Sequence, residues 1–340
     1  MSNKKLLAAA LALLPSASVH AQTPAVPDYG ARLERFDYPW EVRNFPVRAQ
    51  GQTQEMSYMD VQPERPNSHT VVLLHGKNFC GATWEATARE LLAAGYRVVM
   101  PDQIGFCKSS KPRSYQYSFH QLAANTRALL QSLGVGKAVV MGHSMGGMLA
   151  SRYALMYPEA TVALVMVNPL GLEDWKARGV PYRSIDDWYE RELKTGFEGL
   201  KQYQQATYYA GEWRPEYDKW VLMSAGMYQG VGKSSVAWNQ ALTYDMIYTQ
   251  PVAHEFPQIR VPTLLLIGER DTTAPGRDAA PPEIAATLGN YATLGPAAAR
   301  AIPGARLVTF PELGHSPQVQ DPKRFHASLL EQLATLLVAR

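Results

Sequence analysis

Gly142-His143-Ser144-Met145-Gly146 decides the reading of this chain. The apolar run Lys137-Ala138-Val139-Val140-Met141 leads into it. Gly147 to Tyr157 has the composition of a helix and stops at Pro158. The order is therefore strand, tight turn, helix, with a serine in the turn. Two glycines flank that serine, so the backbone can bend sharply with no Cβ in the way and push the hydroxyl out over a sheet edge.

The same alternation runs outward on both sides. Thr70-Val71-Val72-Leu73-Leu74 is a continuous β-branched and aliphatic run, as expected of a strand buried on both faces. Thr83 to Ala94 predicts a helix stopped by Gly95, then Arg97 to Met100 a strand. Phe119 to Leu133 predicts another helix and Val162 to Val167 another strand. Upstream, Glu41 to Val47 and Gln54 to Val61 alternate apolar and polar residues around Gln50-Gly51, the pattern of an antiparallel edge hairpin. After Asn168-Pro169 the strand pattern stops. It resumes at Val261 to Ile267, then Arg306 to Phe310, with a long, partly helical connection (275–303) between them. A last amphipathic helix spans Pro322 to Val338. Repeated strand and helix in this order imply an α/β protein with a mostly parallel sheet. The interruption, 172–256, is helical in character and dense in Trp and Tyr, among them Trp188, Tyr203, Tyr208 and Tyr244. It reads as a cap inserted between a first core part, 22–171, and a second, 257–340.

Composition excludes several classes. The 340 residues carry a formal charge of +3, and no run of Lys and Arg stands out, so nucleic acid is not an expected partner. The N-terminus has the layout of a secretory signal, 1–21. Lys4 and Lys5 form a basic start, Leu6 to Leu14 is too short to span a bilayer, and Val19-His20-Ala21 suits a cut after Ala21. Removing those two lysines leaves +1. An exported protein, periplasmic or extracellular and not stably inserted in a membrane, is expected. Export also permits a disulfide between Cys80 and Cys107; two buried thiols are the alternative, and the spacing does not choose between them. A bridge would contribute about 3 kcal/mol in the chain-entropy model.

A serine hydroxyl needs a base within hydrogen-bond reach, and the base needs an orienting acid. After a strand–elbow–helix serine these come in the order acid, then histidine. Asp271, in Gly268-Glu269-Arg270-Asp271, follows an apolar strand directly and is the acid candidate, with Glu269, Asp278 and Asp174 as rivals. His315, in Leu313-Gly314-His315-Ser316-Pro317, is the base candidate. His69, His120, His254 and His326 fit less well by position, and His143 is expected to pack around the elbow. An oxyanion needs two fixed donors. The backbone N–H groups of Met145 and Lys77 are the candidates.

Taken together, His75-Gly76, Asp102 to Ser109, Gly142 to Gly147, Gly268 to Pro275 and Gly314 to Pro317 resemble a capped serine hydrolase of the α/β-hydrolase fold family, from about residue 70 onward. Two features depart from that pattern: Cys107, where a Gly is frequent, and the pair Asn78-Phe79 after Lys77. The resemblance implies a mostly parallel eight-stranded sheet with a helical lid, an acyl-enzyme mechanism on Ser144, Asp271 and His315, and no metal or organic cofactor. Within it, a carboxylic ester hydrolase on small to medium, partly apolar or aromatic esters is the favoured reading. A carbon–carbon bond hydrolase, an amidase or aminopeptidase, a lactonase and a cofactor-free haloperoxidase share the triad. A binding protein that kept the fold without catalysis is the alternative of another class. Oligomeric state is not legible.

Overall fold

The computed structural model describes residues 25–338; the 1–21 signal expectation lies outside them. Eight strands form one sheet in the order β1-β2-β4-β3-β5-β6-β7-β8. The hairpin β1 (Arg43–Ala49) and β2 (Gln52–Val61) is antiparallel and pairs at the edge with β4 (Arg97–Pro101). The remaining strands are parallel: β3 (Thr70–Leu74), β5 (Ala138–His143), β6 (Thr161–Val167), β7 (Thr263–Gly268) and β8 (Arg306–Phe310).

The continuous apolar runs follow from burial on both faces. Val71, Leu73, Val139, Met141, Leu264 and Leu266 face one core. Val72, Leu74, Val140, Leu265 and Ile267 face the other. Helices α1 (Glu85–Ala93) and α11 (Pro322–Val338) close the first side, with Phe325, Leu329, Leu333 and Leu336 of α11 buried against it. Helices α2 (Phe119–Ser132), α3 (Met145–Met156) and α9 (Tyr291–Ala301) close the second. Ser118 caps α2 by accepting from the Gln121 N–H at 3.0 Å, which sets where that helix begins.

The long β6–β7 connection contains no strand. It holds α4 (Ile185–Glu192), α5 (Phe197–Tyr203), a π-helical turn (Gln204–Tyr208), α6 (Asp218–Met227) and α7 (Lys233–Thr249). Helix α4 packs on α7, and α5 on α6. The expected 275–303 connection resolves into short α8 (Pro282–Ala285) and α9, and short α10 (Pro317–Gln320) precedes α11. Several expected ends move by one to three residues. The helix after the serine starts at Met145 rather than Gly147, and the helix expected from Thr83 opens as a tighter turn, Gly81–Trp84. Cys80 and Cys107 are joined in a disulfide with Cα atoms 5.9 Å apart, which leaves no free cysteine among the described residues. Cys107 sits at φ 49°, the left-handed region, so this is a position that glycine occupies at least cost. No helix among the described residues is long and apolar enough to cross a membrane.

Three buried histidines make stability depend on pH. Burial pushes His326 down to about 4, lowers His75, and, with help from the nearby His315, holds His143 well below the ordinary range. In the unfolded chain each titrates near ~6.5. Between that value and the folded values the unfolded state binds more protons, so stability falls as pH falls, by up to about 1.4 kcal/mol per pH unit per histidine. Urea midpoints are expected to drop from pH 7 to pH 5, and His326→Gln is expected to flatten that slope by about one proton's worth. An unchanged slope in the variant contradicts this assignment.

Candidate active site

Five adjacent strands, β3, β5, β6, β7 and β8, each deliver one loop to the same C-terminal sheet edge. That edge is where ligands bind in open α/β sheets. Ser144 follows β5 directly and takes φ 58°, ψ −123°, a conformation that costs a non-glycine residue roughly 1–3 kcal/mol. Close packing imposes it. A Cβ at Gly142 would lie 1.9 Å from the Gly146 carbonyl oxygen, and one at Gly146 would lie 2.1 Å from that of Leu74. The turn is held by the Ser144 N–H donating to Val167 O at 3.1 Å and the Leu170 N–H donating to Ser144 O at 3.0 Å.

The structure brings the three sequence candidates together. The Ser144 hydroxyl is 2.8 Å from His315 Nε2, and His315 Nδ1 is 2.5 Å from Asp271 Oδ2. A carboxylate can only accept, so the proton sits on Nδ1, and Nε2 is left to accept from the serine. All three side chains are buried. Of the rival acids, Asp278 pairs with Arg183 and Arg191, and Asp174 with His254. Neither makes a hydrogen bond to His315. The N–H groups of Met145 and Lys77 have no hydrogen-bond partner among the described residues, whereas the neighbouring Gly147 and Phe79 amides are bonded to Ser144 and Gly76 carbonyls.

Two residues support this line that the sequence did not single out for such roles. Asn168, at the end of β6, donates from Nδ2 to Asp271 Oδ2 and to Gly268 O, both at 3.0 Å, and accepts the Gly268 N–H at 2.8 Å. With the Thr273 N–H on Oδ1 at 2.8 Å, the Asp271 carboxylate accepts from three donors. His143 donates from Nε2 to the His315 carbonyl at 2.8 Å, and its ring centroid lies 4.8 Å from that of His315. It holds the His315 backbone and ring in place, a sharper role than packing. The clue to Asn168 was its place directly after a core strand, beside the strand ends that carry Ser144 and Asp271. His75 bonds Gly76 O in its own loop and the Gln103 N–H after β4, tying the β3 and β4 loops together, a structural role.

The β6–β7 segment covers the site. The Tyr208 ring lies 4.8 Å from that of His315, and its hydroxyl accepts from Asn78 Nδ2 at 3.1 Å. The His315 and Ser316 N–H groups donate to the carbonyls of Thr207 and Tyr208 at 3.1 and 3.2 Å. Burial holds the Tyr208 phenol well above its usual value, so it stays neutral. A cavity of about 440 Å³ opens beside this point, between helices α4 to α7 and the Lys77-Asn78 loop. Ser144 itself does not line it. Cys80, Asp102 and Cys107 converge, but both sulfurs are consumed in the disulfide, which leaves no metal-ligand set there.

This chain belongs to the alpha/beta hydrolase fold family, whose model matches residues 69–322. It is an enzyme of that family. It is similar to a probable hydrolytic enzyme from Pseudomonas aeruginosa PAO1, at 64% identity over 90% of this chain and 98% of that one, with a TM-score of 0.89. Over 135 residues, 39% of this chain and less than half (47%) of the relative, it is 33% identical to a 2-hydroxy-6-oxo-6-phenylhexa-2,4-dienoate hydrolase of Burkholderia cepacia. A putative carbamate hydrolase of Shigella flexneri is 26% identical over 81% of this chain and 95% of that protein.

Asn168→Ala removes two donors and one acceptor from a buried network, which costs about 1–3 kcal/mol when partners are left unsatisfied. A clear drop in the urea midpoint is expected, together with loss of the fixed Asp271 orientation. A variant as stable as the parent contradicts the role given to Asn168.

Proposed function

We propose that this enzyme is a serine hydrolase that works through an acyl-enzyme, with carboxylic esters of small to medium size as its substrates. The observation that carries the reading is the hydrogen-bonded line from Ser144 through His315 to Asp271, with two unpartnered amides beside the serine. In the forward step the Ser144 oxygen bonds to the substrate carbonyl carbon while its proton passes to His315 Nε2. The carbonyl oxygen becomes an oxyanion held by the Met145 and Lys77 amides. Collapse expels the alcohol, which takes the proton from His315. Water then repeats the sequence on the acyl-enzyme and releases the acid. Asp271 keeps the imidazole in the reactive tautomer throughout. A second reading, hydrolysis of a carbon–carbon bond, draws on the Burkholderia relative, which is matched over less than half its length.

Hydrolysis of p-nitrophenyl butyrate by the wild-type protein is expected to fall by at least about 10³-fold in Ser144→Ala. Equal rates in the two proteins would remove the serine mechanism.

Export is part of the same proposal. The N-terminal pattern supports it, and so does the Cys80–Cys107 disulfide, since such bridges persist in oxidising compartments. The exported protein is expected to begin at Gln22 and to show no free thiol when denatured without reductant. A chain beginning at Met1 with two titratable thiols contradicts it.

A further inference from the structure

The 440 Å³ cavity is polar where it meets the Lys77 loop. Lys77 Nζ donates to Glu192 Oε1 at 3.1 Å and lies 3.7 Å from the Tyr244 ring centroid, with both ionic side chains about nine-tenths buried. Tyr228 OH donates to the other Glu192 oxygen. An ammonium carries three N–H donors, and this one uses a single donor on protein oxygen. The Gln240 side chain, also buried and lining the cavity, makes no hydrogen bond among the described residues. Unused donors on buried side chains that line a cavity are free to meet a ligand's acceptors.

Charge points the same way. Lys77, Arg191, Lys194 and Glu192 line the cavity. Arg191 shares Asp278 with Arg183 at its margin. Three cations and one carboxylate thus line the cavity, and Lys194 has no ion-pair partner among the described residues. The loop that lines the cavity through Lys77 and Asn78 also reaches the reacting centre. A Cβ on Gly76, next to Lys77, would lie 2.9 Å from Ser144 Cβ.

We infer that this cavity is the subsite for the non-reacting end of the substrate, and that this end carries a carboxylate, received by the Lys77 ammonium and the Gln240 amide. The inference rests on the hydrolase reading. It narrows the proposed class, carboxylic esters of small to medium size, to esters with an anionic tail, in place of the partly apolar or aromatic esters expected from the sequence. Lys77 then serves twice, with its N–H at the oxyanion and its side chain as a specificity determinant.

The test is a calorimetric titration of the Ser144→Ala protein with the monoethyl esters of succinate, glutarate and adipate, against ethyl butyrate, valerate and hexanoate of matched length. At least one half-ester is expected to bind about tenfold or more tightly than its uncharged partner, as a charged hydrogen bond warrants. Lys77→Met strands Glu192 in a buried site and can unfold the cap. The Lys77→Met/Glu192→Gln pair removes both charges, and Gln240→Leu probes the second contact; each is expected to reduce the preference. Uncharged esters binding as tightly, no binding by any half-ester, or a preference that survives both variants overturns the inference. Because binding does not require Ser144, half-esters that bind yet are not hydrolysed by the wild type would overturn the reaction and leave the subsite standing.

Discussion

Everything at this site depends on a close approach between backbones at the elbow. Gly142, Gly146 and the Leu74 carbonyl pack so tightly that no Cβ fits. That contact forces Ser144 into a backbone conformation that a serine does not choose. The cost is offset by the sheet below, where β3, β5 and β6 are buried on both faces. It yields a serine whose hydroxyl stands clear of its own backbone at the C-terminal edge of the sheet, with the start of α3 behind it. A single added methyl at either glycine would act on the serine position and on the Met145 amide together.

The remaining parts are ordered by strand adjacency. From β3 to β8 the sheet presents an amide donor, the serine, Asn168, the aspartate and the histidine, one per neighbouring strand. Residues that are 171 positions apart in sequence therefore lie within a hydrogen bond of each other. Two further contacts lock the histidine: His143 from below and the Thr207–Tyr208 carbonyls from the covering segment. Opening that segment would release bonds to the very loop that carries His315, so access to the site and the setting of His315 are mechanically linked.

The core was legible because burial on both faces leaves a continuous apolar signature. Thr70–Leu74, Arg306–Phe310 and Pro322–Val338 are the residues expected. Ser144, Asp271 and His315 could be picked out because each closely follows such a strand, and they meet in space. Asn168 was seen only as the place where the strand pattern ends, since an amide that braces a carboxylate has no spacing of its own. The covering segment was legible in composition alone. Its aromatic rings pack through contacts such as Trp188 on Tyr244, which follow no helical period across 172–256. The Lys77–Glu192 pair spans 115 residues, and no local pattern announces it.

The central claim is that Ser144 attacks a carbonyl whose oxygen settles between the Met145 and Lys77 amides. A crystal structure of the protein after reaction with a p-nitrophenyl alkylphosphonate tests it most directly. The account predicts a phosphorus atom bonded to Ser144 Oγ, with one phosphoryl oxygen about 3 Å from both amide nitrogens and His315 still bonded to Asp271. A phosphonate bound elsewhere, or one on Ser144 with its oxygen turned away from those amides, would contradict it.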